Sequence, residues 1–228
     1  MNPLRHLPNA LTCCNLLCGC FGIVWLIDGA PESSAYFVWA ACVFDFLDGF
    51  AARALKYSSA IGKELDSLAD MVSFGVLPSL LMYQMLRHAG VGQIPALVGF
   101  LVAVFSALRL AQFNVAENQK DVFIGVPTPA NALFLTALPF LPAPIHDYLE
   151  DGAVLTVVIV VFSFLLVAPW EIMALKFKNF SWADNRLRFT FIVLAVLLLI
   201  WLKAGAIPFV ILLYVAMSLV SRALVTKK

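Results

Sequence analysis

Apolar runs of about 18 residues or more recur from one end of this chain to the other, each able to cross a hydrocarbon core of about 30 Å. In such a medium a helix satisfies its own backbone donors and acceptors, so the runs are read as membrane helices. Only 13% of the 228 residues are charged and 62% are hydrophobic. That is too little charge to coat a soluble domain of this size. The expected fold is therefore all-α: a polytopic integral membrane helix bundle forming a single domain over residues 1–228.

Eight spans are expected, near 9–28, 33–56, 61–86, 93–116, 129–147, 152–175, 187–203 and 205–224. A short amphipathic lead, Asn2 to Pro8, would lie on the membrane surface. Only Lys203 to Gly205 separates the last two spans, so six long spans with one re-entrant pair is the alternative count. With odd-numbered loops outside, those loops hold just Arg87 and Lys203 of the 15 basic residues. Arg53, Lys56, Lys63, Lys120, Lys176, Lys178, Lys227 and Lys228 are among those on the other side. The positive-inside rule then places both termini in the cytoplasm of a cytoplasmic-membrane protein. Tryptophans 25, 39, 170, 182 and 201 sit near span ends, as interfacial anchors do.

Cys13, Cys14, Cys18, Cys20 and Cys42 lie in apolar surroundings, with no His or carboxylate in the first segment to complete a metal set. They read as small packing residues. His6, His88 and His146 have no visible partners in the sequence. No nucleic-acid partner is expected.

The carboxylates are more informative. Asp45, Asp48, Gly49 and Ala52 recur at i, i+3, i+4 and i+7 and share one helix face. Gly62, Asp66 and Asp70 recur at i, i+4 and i+8 and share a face of the next helix. With a turn at Tyr57 and Ser58, Asp48 lies nine residues before Tyr57 and Asp66 nine after it. Asp45 and Asp70 lie twelve before and thirteen after. At the rise of a helix all four stand roughly 13–20 Å from the turn. An aspartate at mid-membrane costs about 2.5–3.5 kcal/mol, so four uncompensated cost on the order of 10 kcal/mol. Arg53 alone cannot neutralise them. Oxygen ligands suit hard cations such as Mg²⁺ or Mn²⁺, and two such ions form the usual clamp for phosphoryl chemistry. Gly49 and Ala52 would let a diphosphate approach the backbone. Pairing with basic residues at a wet interface accounts for one or two acids, not for four on matched stripes. A cation transporter is the rival reading, though no discontinuous helix pair repeats in two halves of the chain.

Read in order, the stretch over residues 45–70 is Asp45-x2-Asp48-Gly49-x2-Ala52-Arg53-x8-Gly62-x3-Asp66-x3-Asp70. It resembles, at every spacing, the signature of the CDP-alcohol phosphatidyltransferases. The resemblance implies that Asp45, Asp48, Asp66 and Asp70 bind two divalent cations, Mg²⁺ or Mn²⁺, with Asp70 also the catalytic base. It implies that Gly49, Ala52, Arg53 and Gly62 line the CDP site.

Further stretches look like the serine-accepting branch of that family, the phosphatidylserine synthases. They are Gly62 to Pro78, Arg109-Leu110-Ala111-Gln112-Phe113-Asn114, Phe123 to Ala130, and the opening Pro8-Asn9-Ala10-Leu11-Thr12-Cys13-Cys14-Asn15. Gln112 departs from the second arginine that branch often has. The likeness covers about the first 140 residues. It implies CDP-diacylglycerol and L-serine as substrates, phosphatidylserine and CMP as products, and a homodimer in membrane lipid. It adds Asn9 and Thr12 to the CDP site, and Ser73, Phe74, Arg109, Asn114, Pro127 and Thr128 to the serine or headgroup site. Within the family, glycerol 3-phosphate, inositol phosphate or an amino alcohol are the alternative acceptors.

Overall fold

The computed structural model describes residues 3–57, 59–115, 123–172 and 182–225. The polar loop Glu117 to Asp121 and the basic residues Lys120, Lys176, Lys178, Lys227 and Lys228 lie outside them. The described chain is almost wholly helical, as expected. Its only extended pieces are β1 (Phe123–Ile124) and β2 (Glu171–Ile172), which pair antiparallel.

A 3-10 turn at Pro3–His6 leads into α1 (Leu7–Ile27), which ends where Gly29 takes a left-handed φ of 84°. Helix α2 (Pro31–Ala54) starts on a proline whose missing N–H costs nothing in a first turn, and stops before Lys56 at φ 50°. Ser59 then caps α3 (Ala60–Asp70), its hydroxyl accepting the Gly62 N–H at 3.0 Å. A π-helical turn, Met71–Val76, joins α3 to α4 (Leu77–His88), so that Ala60–His88 is one 29-residue run. This run is central: 56% of its apolar window is buried, against 22–33% for the other long runs. Phe74, Leu77, Leu81 and Met82 from it form the core with Leu135, Leu155 and Ile159.

Close crossings hold α1 and the next hairpin against that run. A Cβ on Gly19 would stand 2.5 Å from Ser73 Oγ, and one on Gly99 would stand 2.7 Å from the Tyr83 backbone nitrogen. Gly99 belongs to the run of α5 (Gln93–Ala96), a 3-10 turn and α6 (Leu101–Val115). Large apolar side chains such as Phe46, Ile61, Leu68, Val157 and Ile200 are exposed on the outside, the surface a bilayer would cover.

Among the described residues, eight continuous membrane-length helices are not found. Five runs are long and apolar enough to cross, or six when α8 (Ala143–Leu149) and α9 (Gly152–Val167), bent by 87°, count as one span. The expected span 129–147 is instead α7 (Thr128–Thr136), a 3-10 turn and α8, pieces too short to cross alone. Proline explains the break, since Pro139 and Pro142 cannot continue a helical ladder. The final run, Asn185–Val220, passes the length test as one piece but folds back between α10 (Trp182–Leu202) and α11 (Ile207–Val225). Phe191 and Tyr214 have ring centroids 5.8 Å apart, whereas a straight helix would separate them by about 34 Å. Lys203, at φ 51°, makes that reversal.

Candidate active site

The matched stripes of α2 and α3 do converge. One carboxylate oxygen each from Asp45, Asp48 and Asp66 lie within 4.8 Å of one another. Asp70 stands outside that trio but lines the same cavity. Asp48 and Asp70 are buried, Asp45 and Asp66 partly so. Asp66 Oδ1 is buried with no hydrogen-bond partner. Crowded anions with an orphaned buried oxygen need a cation. An all-oxygen donor set fits a hard divalent ion. A second trio, His146, Asp147 and Glu150, meets the same 4.8 Å limit, but Asp147 and Glu150 are exposed to water.

Helix α1 supplies two donors to this group. Thr12 Oγ1 donates to Asp48 Oδ2 at 2.6 Å and lies 3.1 Å from the Pro8 carbonyl. Asn15 Nδ2 donates to Asp70 Oδ1 at 3.0 Å. Residues three apart on a helix share a face, so one side of α1 holds a carboxylate of each acidic helix. Asn15 had no role in the sequence reading. The available signal was an amide in an apolar span, one turn beyond Thr12.

Two cavities meet at the acids, sharing Asp48, Gly49 and Asp66 as a common wall. The smaller, about 230 Å³, is completed by Asn9, Thr12, Ala52, Tyr57 and Gly62, so five of the six residues expected around CDP surround it. The sixth, Arg53, lines the larger cavity of about 460 Å³ with Asp45, Asp70, Arg109, Phe113 and Pro127. A Cβ at Gly49 would meet only the tip of Arg53, with Nη1 at 3.4 Å, so protein packing leaves the front of this glycine open. At Gly62 the space is filled by Asn9, whose Oδ1 would be 2.9 Å from a Cβ.

The residues expected at the headgroup divide. Arg109 is buried, donates from Nη1 to Thr128 Oγ1 at 2.8 Å and has no partner for Nε. Thr128 thus orients Arg109 from behind. Phe74 is fully buried in the core, and Ser73 donates to the Asn15 carbonyl at 2.9 Å. Asn114 ties α6 to α3, donating to Ser67 Oγ at 2.8 Å while its carbonyl accepts from Lys63 Nζ at 2.7 Å. Neither cavity is lined by Ser73, Phe74 or Asn114.

Comparison with known proteins matches residues 5–170 to the family model described as CDP-alcohol phosphatidyltransferase. A CDP-diacylglycerol--serine O-phosphatidyltransferase of Helicobacter pylori is 33% identical over 205 residues, 89% of this chain and 84% of that protein. The Bacillus subtilis protein of the same name is 35% identical over 142 residues, 62% of this chain and 80% of its own length. An archaetidylserine synthase of Methanothermobacter thermautotrophicus is 35% identical over 133 residues, 58% of this chain and 56% of its own.

Proposed function

The chain belongs to the CDP-alcohol phosphatidyltransferase family, and from that premise we propose that it transfers the phosphatidyl group of CDP-diacylglycerol to the hydroxyl of L-serine, giving phosphatidylserine and CMP. The observation that carries this reading is the convergence of Asp45, Asp48 and Asp66 from two helices, with Asp70 on the wall of the adjoining cavity. The names of the relatives from Helicobacter pylori and Bacillus subtilis support serine as the acceptor.

Asp45, Asp48, Asp66 and Asp70 would hold two divalent cations, Mg²⁺ or Mn²⁺, which when bound offset negative charge on the diphosphate and on the departing CMP. The smaller cavity, with Asn9, Thr12, Ala52 and Gly62, takes the cytidine nucleotide, and the open face of Gly49 admits the diphosphate beside α2. Arg53 reaches the diphosphate from the larger cavity, where its positive charge favours the phosphates. Serine enters that larger cavity. There Arg109, braced by Thr128 and lining the cavity with Pro127, offers its positive charge to the serine carboxylate. Ser73, Phe74 and Asn114 shape the walls from behind.

In the transfer step Asp70 accepts the serine hydroxyl proton as that oxygen bonds to the lipid-side phosphorus. The bond from that phosphorus to the CMP oxygen breaks, and CMP leaves. Positioning and electrostatics carry most of such a reaction. Fatty chains stay in hydrocarbon while the headgroup reaches the acids. The distribution of basic residues supports an active site and both termini on the cytoplasmic side of the cytoplasmic membrane. Homodimeric assembly belongs to the same proposal, and the mass of the detergent-purified protein tests it.

The deciding experiment is CMP release from CDP-diacylglycerol by purified protein in detergent, with Mn²⁺ or Mg²⁺, with and without L-serine. Serine-dependent CMP that disappears with a chelator is the expected result. CMP released only with another alcohol moves the acceptor within the family. No CMP with any acceptor or metal, from folded protein, overturns the transferase reading.

A further inference from the structure

We propose that Asn15 is a positioning residue for the transfer step, fixing the carboxylate of Asp70 so that Oδ2 is the oxygen that accepts the proton of the attacking hydroxyl. This rests on the assignment of Asp70 as base. Asn15 belongs to α1, remote in sequence from the acidic signature, and is fully buried. Both its main chain and its side chain are engaged by the same short stretch of α3 and the π turn. Its amide donates to Asp70 Oδ1 at 3.0 Å, and its carbonyl accepts from Ser73 Oγ at 2.9 Å. Behind that contact Gly19 lets α1 press directly on Ser73, where a Cβ would fall 2.5 Å from Oγ. The amide therefore has little freedom, and the carboxylate it holds loses its rotation. With Oδ1 held by the amide, the carboxylate offers Oδ2 to the acceptor hydroxyl, while the second lone pair of Oδ1 remains for a cation that the four acids would hold.

Packing alone does not account for this side chain. Asn15 Oδ1 is buried without a partner, and a half-satisfied amide inside an apolar bundle costs stability that a leucine of similar volume would not. What the amide supplies in return is the donor to Asp70. The donor is charge-assisted and lies on the carboxylate itself, so it acts on orientation and not on the space available to substrate.

The proton transfer balances as follows. The acceptor O–H proton moves to Asp70 Oδ2, the acceptor oxygen bonds to the lipid-side phosphorus, and the CMP oxygen departs with the bonding pair. A carboxylate free to turn offers its oxygen in the required direction for only part of the time. Misplacement of a reacting group by about 1 Å costs roughly 100-fold in rate.

The test uses the full-length protein with Asn15→Leu and Asn15→Ala. Three quantities are read: kcat and KM for CMP release, binding of CDP-diacylglycerol, and the thermal unfolding midpoint. The expected result is a kcat lowered on the order of 10- to 100-fold in both variants. CDP-lipid affinity and both KM values should stay within about twofold of wild type. Asn15→Leu removes the orphaned oxygen but leaves Asp70 Oδ1 without its donor, so the two effects oppose each other and its unfolding midpoint should stay near that of wild type. Wild-type kcat in either variant overturns the proposal. So does a loss of kcat that follows lost CDP-lipid binding, or that appears only in a variant with a lowered unfolding midpoint. The underlying reading fails separately: an active Asp70→Asn enzyme removes the base assignment whatever Asn15 does. If the acceptor is an alcohol other than serine, the same measurements are made with that alcohol.

Discussion

The hydroxyl of Thr12 sits 2.6 Å from Asp48 Oδ2, joining the start of the first membrane helix to the acidic face of the second. Asp48 belongs to the carboxylate trio and walls both cavities, so this bond fixes the residue on which nucleotide and metal chemistry would meet in the proposed reaction. Partners that orient a metal ligand commonly account for 10- to 100-fold of affinity or activity. Thr12→Val, which keeps the shape and removes the donor, should lower Mn²⁺ affinity about tenfold. Titration of Mn²⁺ against CMP release, with calorimetry on the protein alone, measures this. Unchanged affinity in both would remove Thr12 from the site.

Asp70→Asn should abolish turnover and leave measurable CDP-diacylglycerol binding. An amide keeps the size of the side chain and the room around it but takes no proton from serine. Parallel assays of CMP release and CDP-lipid retention separate the two effects. Joint loss of both would argue that Asp70 builds the binding site and is not the base.

Gly49→Ala should separate folding from binding. The added methyl meets only the flexible end of Arg53 at 3.4 Å, and alanine favours the interior of α2 by about 1 kcal/mol over glycine. The variant should unfold at the same temperature as wild type or higher, while KM for CDP-diacylglycerol rises several-fold because the methyl fills the shared wall of the cavities. An unaltered KM would show that no ligand approaches this backbone.

Gly19→Ala should do the opposite. Its Cβ would lie 2.5 Å from Ser73 Oγ and 2.9 Å from Ser73 Cα, and a backbone atom cannot step aside as a side chain can. Helix α1 must shift, at a cost of about 1–3 kcal/mol. A lowered unfolding midpoint is expected, with reduced CMP release because α1 carries Thr12 and Asn15. A wild-type midpoint would mean that the crossing is looser than the structure has it.

Much of the site could be read along the chain because its parts are local. The i, i+3 and i+4 spacings assign Asp45 and Asp48 to one face and Asp66 and Asp70 to another, and a short turn between the two helices brings the faces to one depth. The trio of Asp45, Asp48 and Asp66 realises that geometry. The places of Asn9 and Thr12 around the smaller cavity were reached only through family resemblance. Spacing within α1 does not say what α1 touches.

The sequence by itself determined the class of solvent, the helical fold and the acidic faces, because hydrophobicity and the 3.6-residue period act over neighbouring residues. Only the tertiary structure decided how the chain spends its apolar length. A hydropathy pattern does not distinguish one span from α7 and α8 separated by prolines, whereas the α10–α11 hairpin, closed by Phe191 against Tyr214, follows the two spans expected at 187–203 and 205–224. Tertiary packing likewise placed a π turn directly after Asp70 and brought the Asn15 amide to that carboxylate across 55 residues of sequence. Such contacts depend on the crossing of helices, which is set where Gly19 meets Ser73 and Gly99 meets Tyr83. Helix crossings come from side chains distant in sequence filling one another's grooves, and no local period records them.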